Sequence, residues 1–301
     1  MKTLLYVFAW TVLIGTLSSC TSASKKIELK NTDTLASLHN DSVKIAYTDA
    51  GMSDTTLLFV HGWAINKGYW TDQVSHFSKR YRVVAIDLPG FGASGTNRDK
   101  WGTLEYAGDI DSVIKQLDLK KVVLIGHSMS GDIVLQAAID NPDKVIGVVG
   151  IDNFKGVGEP VTPQAKKGWE DALTQMRKDF KKVTTEWANK QLFSKTTSAD
   201  IKKRILNDVE HTDQKIAIAT LEQGNDFDEL AKLKQAKQKL YLINSDVTPT
   251  NTKYLDAEKL PYQVFYTKGT GHYAMIESPK EFNGYLDKVL LDISKKTIKT
   301  S

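Results

Sequence analysis

The amino-acid sequence predicts an α/β fold: a mostly parallel central sheet flanked by helices and interrupted by a helical insertion. Three observations carry that expectation. From Ser42 onward, short β-branched runs alternate with stretches of helical spacing, the rhythm of βα units laid on one sheet. Several of the runs, at 56–60 and 145–151 among them, are continuously apolar, as strands covered on both faces must be. The rhythm then stops at Asn153 and resumes near Lys239, with helical patterns in between.

Taken in order, strands are expected at 43–47, 56–60, 82–86, 121–125, 145–151, 239–244 and 263–267, where apolar and β-branched residues cluster between turn residues. Helices are expected at 69–79, 103–117, 131–140 and 279–294, which have helical spacing. Inside the insertion, 164–192 and 199–210 have helical spacing. Trp169, Leu173, Met176, Phe180, Val183 and Trp187 form an apolar stripe there, read as packing the insertion onto its own core, with lysines and Arg177 on the solvated side. The organisation expected is a core of residues 31–153 and 238–301 with a helical cap at 154–237.

A chain of 301 residues with 41% hydrophobic and 25% charged residues has globular proportions and can bury a water-excluding site. The 40 basic and 36 acidic residues leave a charge of +4, too small and too evenly spread to argue for a nucleic-acid partner. No Cys/His/Asp cluster has metal-ligand spacing, so neither a metal nor an organic cofactor is expected.

The single cysteine, Cys20, excludes an internal disulfide. It follows Lys2, an apolar run at 4–14 and a group of small residues, which together have the layout of a signal peptide at 1–19. That run falls short of the roughly 20 apolar residues a bilayer span needs. Leu17-Ser18-Ser19-Cys20 resembles a bacterial lipobox, which implies cleavage before Cys20 and attachment of acyl chains such as palmitate to it. By that resemblance the protein is a lipoprotein of the bacterial cell envelope, held on a membrane outside the cytoplasm with residues 20–30 as a polar tether.

The chemistry concentrates after the apolar strand at 121–125. Gly126-His127-Ser128-Met129-Ser130-Gly131 follows it directly and opens a helical stretch, the setting of a nucleophile elbow. A strand-to-helix turn this sharp lifts the serine hydroxyl above the sheet and demands small residues two positions either side, here Gly126 and Ser130. Three further motifs stand at strand ends: His61-Gly62-Trp63, the turn Asp87-Leu88-Pro89-Gly90-Phe91-Gly92-Ala93-Ser94, and Gly271-His272-Tyr273. With these motifs the chain resembles the α/β-hydrolase superfamily from about residue 43 to 294, departing from it at Ser130, where the family usually has glycine.

The resemblance implies roles. Ser128 would be the nucleophile, His272 the catalytic base, and the amides of Trp63 and Met129 the oxyanion hole, while the Asp87 turn is structural. The family commonly carries its acid in a loop after the strand that follows the insertion, here Asn244-Ser245-Asp246-Val247-Thr248-Pro249, which points to Asp246 although Asn244 stands where glycine is usual. Asp152, at the end of 145–151, is the alternative acid, since some members place it after that earlier strand. The expected reaction is hydrolysis of an ester-type bond in a small-molecule substrate through an acyl-enzyme intermediate. Trp63, Met129 and Phe154 are candidate pocket walls. The alternative is a lipid-anchored small-molecule receptor or binding protein with a hydrolase-like site.

Overall fold

The computed structural model describes residues 36–40, 43–224 and 227–300. The expected signal peptide, Cys20 and the tether lie outside the described residues. Eight strands form one sheet: β1 (Ala36–Asn40), β2 (Val43–Ala50), β3 (Thr55–Val60), β4 (Arg82–Ile86), β5 (Lys121–His127), β6 (Val145–Ile151), β7 (Leu240–Ser245) and β8 (Tyr262–Thr267). Their order is β1-β2-β4-β3-β5-β6-β7-β8. β1 and β2 pair antiparallel, as do β2 and β4, and all the pairs from β4 to β8 are parallel.

The parallel strands are the continuous apolar runs. Leu57, Leu58, Phe59 and Val60 of β3 and Val122 to Ile125 of β5 are all buried, because helices cover the sheet. Those helices are α1 (Thr71–Phe77), α2 (Thr103–Gln116), α3 (Ser130–Asp140) and, near the C-terminus, α11 (Pro279–Thr300). β1 is a departure from expectation. Ala-Ser-Leu-His-Asn contains no β-branched residue, and it is a strand because Ala36 to Asn40 zip in register onto Tyr47 to Val43. Pairing with a neighbour overrides weak intrinsic preference.

Between β6 and β7 lie α4 (Pro163–Lys178), α5 (Phe180–Gln191), α6 (Ala199–Glu210), α7 (Gln214–Gln223) and α8 (Glu229–Ala236), the helical insertion. The helical pattern of 164–192 is two helices, not one. Asp179 leaves the helix at φ −149° and its side chain accepts from the Lys182 amide at 3.1 Å, ending α4 and capping α5. Of the apolar stripe, Leu173, Met176 and Phe180 are buried, whereas Trp187 is at the rim and meets Trp63 of the core at 5.9 Å between ring centroids. Among the described residues, no helix is long and apolar enough to cross a membrane. After β7 come the short helices α9 (Lys253–Ala257) and, beyond β8, α10 (Ala274–Glu277). The motifs at 61–63, 87–94, 126–131 and 271–273 each follow the C-terminal end of a parallel strand, which gathers them along one edge of the sheet.

Candidate active site

β5 ends at His127, α3 begins at Ser130, and the turn between them holds Ser128 at φ +53°. A side-chain-bearing residue in the left-handed region costs roughly 1–2 kcal/mol, so the surroundings must hold it there. The Ser128 amide donates to Ile151 O at 2.8 Å, its carbonyl accepts from the Gly131 amide at 2.9 Å, and the Asn153 side-chain amide donates to Gly126 O at 2.9 Å and Ser128 O at 3.1 Å. A Cβ on Gly126 would come within 2.7 Å of Val134 and collide with Ser130 O, which explains the glycine. Ser130 is fully buried and donates its hydroxyl to His61 O at 2.5 Å. The residue that departs from the family pattern thus ties the elbow to the end of β3.

His61 is also fully buried. Its Nε2 accepts from the Leu88 amide at 2.9 Å, so the proton is on Nδ1, which donates to Gly62 O at 2.7 Å. Burial lowers the pKa of the ring and keeps it neutral. With the Gly62 carbonyl turned back toward His61, the Trp63 N–H of the same trans peptide points the opposite way. Neither the Trp63 amide nor the Met129 amide has a hydrogen-bond partner among the described residues. A Cβ on Gly62 would lie 2.6 Å from His127 Nδ1 and 3.1 Å from Ser128 Cβ, so this loop passes directly beside the elbow. The Trp63 indole leaves the site for the cap: it donates to Ala217 O at 2.8 Å and packs against Phe180 at 6.0 Å.

His272 stands on the loop after β8, with its Nδ1 hydrogen-bonded to Asp152 Oδ2. Asp152 closes β6 at φ +50° and is 6% exposed; its other oxygen accepts from the Ser245 amide at 2.8 Å and from Lys155 Nζ at 2.8 Å. Burial alone would raise this carboxyl, but the His272 ring and the Lys155 ammonium beside it hold it well below the usual carboxylate range. The expectation for Asp246 is therefore corrected. Its carboxylate is exposed and accepts from the Gly269 amide at 3.0 Å, while the carboxylate facing the imidazole belongs to Asp152.

Asn244 shows why. Where the family's acid loop has glycine, the fully buried Asn244 side chain donates to Asn153 O at 3.0 Å and to Thr250 Oγ1 at 2.8 Å and accepts from the Asn153 amide at 3.3 Å. The loop after β7 buttresses the loop after β6, and its Asp246 carboxylate bonds to the Gly269 amide and not to His272.

His127 connects serine and histidine. Its Nε2 lies 2.9 Å from His272 O, which can only accept, so Nε2 carries the proton and the buried Nδ1 has no partner. A second proton would have no acceptor; burial and the neighbouring His272 lower the pKa of His127 to about 3. The arrangement places a left-handed serine, a carboxylate-held imidazole and two unpartnered amides at one edge of the sheet. That constellation has the parts needed to activate a hydroxyl nucleophile and stabilise an oxyanion.

Asp87 is buried and accepts from the Lys67 amide at 2.7 Å, Lys67 Nζ at 2.8 Å and the Ala93 amide at 2.9 Å, a structural knot. Phe154 packs against Gly131 and Gly150 beneath the elbow and so is not a pocket wall. Lys155, Ser130 and the Asn153–Asn244 pair went unrecognised in the sequence, although Asn244 and Ser130 were visible there as departures from glycine. Among the described residues no group of three His, Cys, Asp or Glu side chains could hold a metal ion.

Comparison with known proteins agrees with this fold. The Magnesium-chelatase 30 kDa subunit of Rhodobacter capsulatus is 36% identical over 124 residues, 40% of this chain and 44% of that protein, so the chain spans less than half of that relative. The pimeloyl-(acyl-carrier protein) methyl ester esterase of Yersinia enterocolitica is 24% identical over 246 residues, 77% of this chain and 92% of that one. A solved structure of a thermophilic esterase from Thermogutta terrifontis shares the fold with a TM-score of 0.73 at 20% identity, covering 86% of this chain and 97% of that one. The family profile described as alpha/beta hydrolase fold matches residues 55–279, which take in β3 to β8, the elbow, the insertion and His272. With well over half its length matched, the chain belongs to the alpha/beta hydrolase fold family.

Proposed function

We propose that the protein is a serine hydrolase that cleaves an ester-type bond of a small substrate through an acyl-enzyme intermediate. The observation that carries this reading is the Asp152–His272 pair packed against His127, the residue next to the left-handed Ser128. With Nδ1 engaged by Asp152, the Nε2 of His272 is the nitrogen left to take the Ser128 proton as Oγ attacks the carbonyl carbon. The carbonyl π electrons move to oxygen, and the resulting oxyanion accepts from the Trp63 and Met129 amides. His272 then returns the proton to the departing alkoxide, leaving the acyl group on Ser128. A water molecule, deprotonated by His272, attacks the acyl carbon and releases the carboxylic acid and the free serine. Asp152 stays ionised throughout and steadies the imidazolium.

Relatives named as esterases support the choice of an ester over other acyl compounds. Labelling Ser128 with a fluorophosphonate, its loss in Ser128→Ala, and multiple turnover on p-nitrophenyl esters test the reading. A wild-type protein that neither labels nor turns over would overturn it. We also propose that Cys20 is acylated and tethers the enzyme to an envelope membrane through residues 20–30, on the strength of the Leu17-Ser18-Ser19-Cys20 sequence. Membrane fractionation of wild type and Cys20→Ala, with intact mass, tests that anchor; equal membrane recovery without added lipid would refute it.

A further inference from the structure

We propose that Glu277 is a positioning residue for His272, and that through Glu277 and Thr197 the cap sets where the base stands. This rests on the reading of His272 as the base of a serine hydrolase. Glu277 ends the short helix α10, five residues beyond His272, and its carboxylate reaches back over the loop. Oε1 accepts from the Tyr273 amide at 3.2 Å and Oε2 from the Gly271 amide at 3.0 Å, so the two oxygens straddle the residue between. The intervening amide, that of His272 itself, donates to Leu192 O of the cap at 2.8 Å. Three successive backbone donors are thus fixed, and the His272 carbonyl accepts from His127 at 2.9 Å. The backbone that carries the imidazole is thus pinned on both sides of His272.

The cap enters through a second bond to the same carboxylate. Thr197 is 6% exposed, and its hydroxyl donates to Glu277 Oε2 at 2.6 Å while accepting from the Ser194 amide at 2.9 Å. Thr196 bonds to Gly269 O alongside. The segment 192–197 between α5 and α6 therefore lies directly on the base loop, and Gly271 shows how closely: a Cβ there would lie 2.9 Å from Ser194 N and collide with Leu192 O. The glycine before the histidine is required by the cap strap, not by the turn, since Gly271 does not adopt a positive φ. Glutamate suits the site because three donors converge on it. Either orientation of a glutamine amide sets its NH₂ against an N–H or O–H donor. Displacing a catalytic group by about 1 Å costs on the order of 100-fold in rate, so this carboxylate has leverage on turnover without touching substrate.

The test uses the full chain and four readouts on wild type, Glu277→Gln, Thr197→Val and Thr197→Ser: kcat and KM on p-nitrophenyl acetate, the rate of Ser128 labelling by a fluorophosphonate, and Tm. Expected for Glu277→Gln is a fall of about 10- to 100-fold in kcat and in labelling together, with KM held within about twofold. Thr197→Val should fall by about 3- to 10-fold in the same two measures, and Thr197→Ser should recover most of the loss. Thr197→Val, the smaller change, carries the test if Glu277→Gln does not fold. Labelling of Glu277→Gln at the wild-type rate, or Thr197→Ser as slow as Thr197→Val, would overturn the role of Glu277. Wild type that fails to label would instead overturn the serine hydrolase reading on which the role rests.

Discussion

Asp152 meets His272 from the end of β6, one strand earlier than the Asp246 loop after β7. Buried beside an imidazole and an ammonium, this carboxylate is placed to hold the ring in one tautomer and, in the proposed mechanism, to face the imidazolium. Asp152→Asn is expected to lower kcat on an ester substrate by roughly 10³- to 10⁴-fold, the scale for a triad acid replaced by its amide. Asp246→Asn should stay within about threefold, because its exposed carboxylate is bonded to a loop amide and not to the ring. Steady-state kinetics on the two variants side by side decide the matter, and the reverse ranking would return the acid to Asp246.

The Asn244 side chain spans from β7 to the loop that carries Asp152, and its loss should be felt in stability before chemistry. Asn244→Gly restores the residue usual in the family but deletes three hydrogen bonds and leaves the Asn153 amide and carbonyl without those partners. A cost of about 1–3 kcal/mol is expected, read as a lower midpoint in urea denaturation with an unchanged slope. An Asn244→Gly protein as stable as wild type would show that the clamp contributes nothing.

The parallel strands were legible because burial on both faces forces continuous apolar runs, and β3 to β8 fall within one or two residues of where such runs place them. The elbow and the His61-Gly62 loop were legible because their backbone geometry admits few residue types. β1 was not, since Ala36 to Asn40 owe their extended state to pairing with β2. Choosing Asp152 over Asp246 required knowing which strand end faces His272, a relation among β6, β7 and β8 that no local pattern encodes. The role of Glu277 was hidden for the same reason, as its partners Thr197, Gly271 and Tyr273 come from the cap and the base loop.

Ser130 offers a separate test of the elbow. Its hydroxyl donates to the carbonyl of His61, whose ring in turn holds the Gly62 carbonyl and so orients the Trp63 amide. Ser130→Ala leaves the His61 carbonyl without that donor in a fully buried position and should cost about 1–3 kcal/mol of stability. A loosened Trp63 amide should also lower kcat by about 3- to 10-fold with little change in KM, since an oxyanion donor acts chiefly in the transition state. A KM rise with kcat unchanged would mean that the hydroxyl serves substrate binding instead.

Asp132 on α3 and Glu229 on α8 give the fold a pH dependence of its own. Their carboxyls are hydrogen-bonded to each other; burial raises both above the usual carboxylate range, with the Glu229 charge adding to the rise of Asp132 and the Asp228 charge to that of Glu229. Asp228 and Glu159 line the same hollow, and among the described residues no lysine or arginine does. A raised folded-state pKa means that the folded chain retains protons the unfolded chain has released, so the stabilisation is complete below the ordinary carboxylate pKa and is lost as pH rises through the raised values. Asp152 has the opposite sign, its stabilisation being lost only in strong acid, so it does not contribute to changes above about pH 5. Wild type is therefore expected to melt lower at about pH 9 than at about pH 7, a window above the ordinary histidine pKa of about 6.5, where the buried His61 and His127, whose lowered values cost stability only at lower pH, do not enter. Asp132→Asn keeps an N–H donor for Glu229 but removes one of the two charges, and the difference in Tm between those pH values should shrink. Equal differences in wild type and Asp132→Asn would show that this pair does not govern the alkaline loss of stability.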